Sequence, residues 1–211
     1  MSTYCNTYKK DDCNCYDKKK YDHCDYHHHD HHKTKDCGAI LECGKEIFRS
    51  LPPTLDALRP ATPDTPIPLA EVTIDTTRLY KPRVKIEYSS LIKSVLVGCA
   101  STETPSSIVL TFRLVRKCKN EDEESLRLWT YERSTTDDVL ITDEDTLTTE
   151  DTFTVTFCEC LDRPCCDDPA GKCCTYTLQL VKVDIAGTNT PTYAINEKDI
   201  SAIAACPSCI Y

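Results

Sequence analysis

The chain has 211 residues, 16 of them cysteine, with 40% hydrophobic residues and a formal net charge of −9. That charge argues against a nucleic-acid partner, because neutralising phosphates takes a basic face. No apolar run approaches the roughly 20 residues of a membrane-spanning helix, and no signal-type apolar stretch follows Met1-Ser-Thr-Tyr-Cys-Asn6.

Cysteine at this density is typical of secreted disulfide scaffolds. Density and start agree if the protein is made in a reducing cytoplasm and oxidised later at a spore or cell surface, without a classical signal peptide. A cytosolic metal–thiolate protein satisfies both observations too.

Residues 1–36 form an N-terminal arm of biased composition. It holds all six histidines (His23, His27, His28, His29, His31, His32), five tyrosines and Cys5, Cys13, Cys15 and Cys24. Seven lysines balance seven aspartates, and Met1 is the only aliphatic residue. Such a segment buries too little apolar area to offset its own ordering entropy. His23, Cys24, His27, His28, His29, His31 and His32 form a candidate site for Zn, Ni or Cu, since neutral imidazole and thiolate bind these ions. No cofactor is required by anything else in the chain.

Residues 37–68 read as a connector. Two Cys-Gly pairs, Cys37-Gly38 and Cys43-Gly44, bracket a short apolar run, and six prolines follow between Pro52 and Pro68. Each proline pushes its predecessor out of the helical region, so this stretch is expected to be extended.

From residue 69 to 211 the pattern is β. Ala70, Val72 and Ile74 alternate with polar residues, as do Val84, Ile86 and Tyr88. Leu91 to Val97 is a mostly apolar run that leads to Cys99. Ile108, Leu110, Phe112 and Leu114 make one face of a strand that ends at Cys118, and Leu126 to Arg133 carries the single tryptophan, Trp129. An acidic, Thr-rich link is expected over residues 134–151. Thr152 to Phe157 and Thr175 to Val183 then predict the two strands of a hairpin, with Phe153, Val155 and Phe157 facing Tyr176, Leu178 and Leu180. Its proline-punctuated tip holds Cys165, Cys166, Cys173 and Cys174. Thr192–Ile195 and Ile200–Ala205 are read as closing strands before Cys206 and Cys209. About eight short strands and no convincing helix predict an all-β, jelly-roll-like two-sheet sandwich with an extended N-terminal arm.

Residues 37–211 contain no histidine, and with five glycines there is neither G-x-G-x-x-G nor a P-loop. Ser-His and Cys-His catalysis and histidine-ligated catalytic zinc are thereby excluded from the body, so an enzyme is not expected. The sulfur cluster admits disulfides, a thiolate–zinc site drawn from Cys158, Cys160, Cys165, Cys166, Cys173 and Cys174, or reactive thiols. Disulfides fit it best. Cys158 and Cys160 point away from the face of Phe157, out of the core. Vicinal pairs seldom bond to themselves, so each of Cys165, Cys166, Cys173 and Cys174 is expected to bond elsewhere.

Extended at about 3.3 Å per residue, the arm reaches about 120 Å, far beyond a body whose radius of gyration is about 16 Å. Its thiols can therefore touch neighbouring copies. A tail strand added to an open sheet edge would be β-augmentation, and a head-to-tail contact that does not close gives a filament.

Several motifs carry a resemblance: Cys37-Gly38 with Glu42-Cys43-Gly44, Asp151-Thr-Phe-Thr-Val-Thr-Phe-Cys-Glu-Cys160, Cys173-Cys-Thr-Tyr-Thr177 and Ser201-Ala-Ile203. Over roughly 37–206 the chain resembles a clostridial family of cysteine-rich β-proteins without an assigned function. More loosely, a cysteine-bearing arm before a jelly roll is similar to the layout of bacterial endospore appendage (Ena) pilins. There the arm links to earlier subunits by disulfides and the sandwiches stack by sheet augmentation.

That resemblance implies arm thiols at Cys5, Cys13, Cys15, Cys24, Cys37 and Cys43, with acceptors among Cys99, Cys118, Cys158, Cys160, Cys206 and Cys209. The arm here is longer and His-rich, a departure that favours metal binding as the alternative. The resulting expectation is a self-assembling structural subunit of a disulfide-cross-linked surface fibre, whose partner is itself.

Overall fold

The computed structural model describes residues 38–47, 65–79, 81–97, 106–135, 146–161, 172–187 and 191–206. Among these there is no helix and there are nine strands: β1 (Ala39–Cys43), β2 (Lys45–Glu46), β3 (Ile67–Asp75), β4 (Arg83–Val97), β5 (Ser107–Cys118), β6 (Glu124–Ser134), β7 (Thr146–Cys160), β8 (Cys173–Ala186) and β9 (Thr192–Ala205). They form a four-stranded sheet in the order β1-β9-β4-β7 and a five-stranded sheet in the order β2-β3-β8-β5-β6. Every pairing is antiparallel. Apart from the two-residue β2, this interleaved order is that of a jelly roll. The expected all-β sandwich is what the chain forms.

Period-two alternation builds the core. On β4 the residues Val84, Ile86, Tyr88, Ile92 and Leu96 are buried, and on β5 Ile108, Leu110, Phe112 and Leu114. Phe153 of β7 stacks on Phe112 of β5 with ring centroids 4.5 Å apart, joining the two sheets through their aromatic interior. The expected hairpin is not one. β7 lies in the four-stranded sheet and β8 in the five-stranded sheet, so their apolar faces meet across the sandwich rather than along a shared ladder. Alternation reports which face is buried and is silent on which strand lies alongside.

Three further expectations change for related reasons. The two runs around Tyr88 and Leu91–Val97 are one strand, because Ser90 and Ser94 are buried and continue the inward phase of β4. The two closing strands are likewise one. A bulge opposite Ser89 and Leu91, with Glu197 at φ 48°, inserts a residue into β9 and keeps both Ile195 and Ile200 in the core. The link over 134–151 is shorter than expected, since β7 already begins at Thr146.

The connector expected over 37–68 is sheet at both of its ends. β1 pairs with β9, β2 pairs with β3, and β3 begins at Ile67. Gly44 is where the chain leaves one sheet for the other, and its amide donates to the Ile200 carbonyl at 2.7 Å. A Cβ there would lie 2.3 Å from Ile200 Cγ2, 2.5 Å from the Glu71 carbonyl oxygen and 2.8 Å from that of Ile200. Two of these obstacles are backbone, so no side chain fits. Gly44→Ala is expected to cost about 1–3 kcal/mol, with faster hydrogen exchange at the β1 amides than in the unaltered chain.

Polar clasps close both flanks. On one, Lys198 of β9 reaches across the sandwich to Glu46 of β2 at 2.6 Å, with only 8% of its side chain exposed. On the other, Arg133 of β6 grips Asp151 of β7 through two bonds, Nε to Oδ2 at 2.9 Å and Nη2 to Oδ1 at 2.8 Å, and Tyr131 Oη donates to Oδ2 at 2.7 Å. Burial alone would raise the Asp151 carboxyl, but the bonds from Arg133 and Tyr131 outweigh it and hold the pKa below its ordinary 3.8. Burial and the same carboxylate push Tyr131 up to about 12. A depressed carboxyl stabilises fully above its unfolded pKa and ceases to do so as pH falls through the folded value. The stability difference between the unaltered chain and Asp151→Asn should therefore be constant near neutrality and shrink below about pH 4, as read by urea melts across pH.

Candidate functional site

The strand registers gather sulfur at one end of the sandwich. In the four-stranded sheet Cys160 stands level with Arg83, Ala205 and Ala39, and Cys206 follows directly. In the five-stranded sheet Cys173 pairs with Asp75 and Cys174 with Cys118. The two rims meet through Glu159 of β7, which accepts from Tyr176 Oη of β8 and Arg116 Nη1 of β5. Cys118, Cys158, Cys160, Cys173, Cys174 and Cys206 thus share a pole. Gly38, the last described residue before β1, lies at this pole too, within reach of Leu79.

Most of this sulfur is oxidised. Cys118 and Cys174 form a disulfide across the β5–β8 pair, closing a sequence separation of 56, and Cys158 and Cys160 are also disulfide-bonded. Cys43, exposed on the edge strand β1, and the half-buried Cys173 keep their thiols. Cys206 is buried.

Two sequence expectations need correction. Cys118, expected among the acceptors for other chains, is bonded within its own. Cys174, expected at a loop tip, sits in β8 with 1% exposure as part of the core. The reason is again the inward phase. Cys174 shares the face of Tyr176 and Leu178, while Cys173 points outward.

The thiolate–zinc alternative loses Cys158, Cys160 and Cys174 as ligands, since a bonded sulfur is not a thiolate. Among the described residues no group of three or more His, Cys, Asp or Glu is placed to hold a metal. Cys5, Cys13, Cys15, Cys24, Cys37, Cys99, Cys165, Cys166, Cys209 and the ligand candidates His23, His27, His28, His29, His31 and His32 lie outside the described residues.

The electrostatic centre of the pole is Glu159. Burial raises its pKa above 4.5, and the bonds from Tyr176 and Arg116 offset that only in part. Arg116 also bridges to Glu124 of β6, so one guanidinium ties β5, β6 and β7 together. Lys172 pairs with Glu121 across the mouth of the same end. Sequence reading placed Tyr176 only among the apolar inward residues and passed over Arg116 and Glu159. The available cue was a carboxylate at Glu159 continuing the inward series Phe153, Val155, Phe157, where a charge must find a partner. The arrangement is largely oxidised and ion-paired.

Replacing the described disulfide by Cys118→Ala with Cys174→Ala is expected to remove about 4 kcal/mol of unfolding free energy, the chain-entropy value for a loop of this length. Guanidinium unfolding of both forms without reductant checks it.

No curated protein matches the chain significantly. Residues 37–205, from the first Cys-Gly pair to the end of β9, match a family described as "Domain of unknown function (DUF4489)". That span covers the whole sandwich and leaves out the His/Cys arm, and the chain belongs to this family.

Proposed function

We propose that the protein is a self-assembling structural subunit of a disulfide-cross-linked fibre or appendage on a spore or cell surface, its N-terminal arm linking it to neighbouring subunits. The observation that carries this reading is the coincidence of two features at one end. The sandwich concentrates its sulfur at one pole, and residues 1–36 lead into the fold beside that same pole. An arm able to span about 120 Å brings Cys5, Cys13, Cys15 and Cys24 to the poles of other copies. A scaffold already stapled by cystine favours an oxidising location outside the cell. The resemblance to endospore-appendage subunits points the same way. With no histidine in the body and no nucleotide-binding motif, the role is mechanical rather than catalytic.

A second reading draws on the His23–His32 tract, whose imidazoles and Cys24 are apt ligands for Zn, Ni or Cu. The two readings separate by chemistry. Assembly through bound metal weakens below about pH 6, as imidazoles with pKa near 6.5 protonate, whereas disulfides are indifferent to that change.

The test is a denaturing gel of native material untreated, with chelator, and with reductant. A ladder that collapses to the 23.8 kDa chain with reductant alone is expected. Monomer in every lane would remove the covalent fibre, and collapse with chelator alone would favour metal.

A further inference from the structure

We infer that the buried pair of Lys198 and Glu46 is a self-modification site, where amine and carboxyl condense into an isopeptide bond that staples β9 to β2. This goes beyond the assembly reading and does not depend on it.

β9 carries a lysine in its inward series. Ile195, Ile200, Ala202 and Ala204 are core residues. The bulge leaves Glu197 and Lys198 opposite the single residue Ser90, and it brings Lys198 into the phase of Ile200. The Lys198 side chain is 8% exposed, and its Nζ lies 2.6 Å from Glu46 Oε1. Nζ also donates to the Ile195 carbonyl at 3.4 Å. Lys172 and Lys45, by contrast, meet Glu121 and Glu71 at 23% and 74% exposure. Withdrawing two charges from water is costly even when they pair. Passing one proton from ammonium to carboxylate removes both charges and leaves an amine, the nucleophilic form of lysine.

Both partners are held on anchored backbone. Glu46 pairs with Ala70 of β3. On either side of it, Gly44 donates to the Ile200 carbonyl and the Ile47 amide to that of Leu69 at 2.9 Å. Such confinement keeps reacting groups in contact and lowers the entropic part of a barrier.

Two hydroxyls lie in the same layer. Tyr88 and Ser90 continue the inward phase of β4 at 2% and 3% exposure. Tyr88 Oη and Ser90 Oγ have no hydrogen-bond partner among the described residues, although an unsatisfied buried hydroxyl costs free energy. Burial pushes Tyr88 up to about 12, and the charge of Glu46 adds to that rise, so the phenol stays a donor beside the carboxyl. Donors fixed in a buried site suit the oxyanion that forms during acyl transfer.

The step balances without a co-reactant. After the proton transfer, Lys198 Nζ attacks Glu46 Cδ, and the carbonyl oxygen takes up negative charge facing the two hydroxyls. One proton passes from nitrogen to the departing hydroxyl, the Cδ–O bond breaks, and one water leaves as the amide remains. The Glu46 side chain is 25% exposed, which gives that water a way out.

The experiment is intact-mass spectrometry of the native full chain after complete reduction and alkylation, followed by peptide mapping. A mass one water below that of the alkylated sequence is expected, with a branched peptide joining residues 46 and 198. Lys198→Met should restore the full mass, and Tyr88→Phe should give a mixture of joined and unjoined chains. Full mass in the unaltered chain would overturn the proposal. So would a one-water deficit that survives Lys198→Met or maps to other residues. Complete joining in Tyr88→Phe would overturn the role given to the phenol.

Discussion

Hydrophobic burial pulls two amphipathic sheets together but does not say how they should be aligned, because it is non-directional. In this sandwich the alignment is held by charged side chains at the rim of the apolar layer. Arg133 and Asp151 lock β6 to β7, Lys198 and Glu46 lock β9 to β2, and Arg116 with Tyr176 locks the pole onto Glu159. Each clasp joins one sheet to the other. Sliding either sheet along its strands by one residue, about 3.3 Å, would separate every one of these partners.

The clasp at the pole also sets what the cysteines can do. Arg116 and Glu159 lie beside Cys118, Cys158 and Cys160 in sequence, and Tyr176 lies two residues from Cys174. Holding these backbones together holds the sulfurs at one end of the fold. The proposed reading as a fibre subunit rests on this gathering of sulfur at one end of the fold.

Much of this was legible from residues alone. Alternating Val84-Ile86-Tyr88 and Ile108-Leu110-Phe112 could only be half-buried strands, and the outward direction of Cys158 follows from the inward phase of Phe157. What only the tertiary structure decided was adjacency. The spacing around the dense cysteines suggested β7 and β8 as a hairpin, yet they lie in opposite sheets, because period two records burial and not neighbours. The bonding of Cys118 to Cys174, the passage of the chain at Gly44 and the pairing of Glu159 with Arg116 join residues 43 to 156 positions apart. Such contacts depend on how whole strands are ordered, which no local pattern encodes.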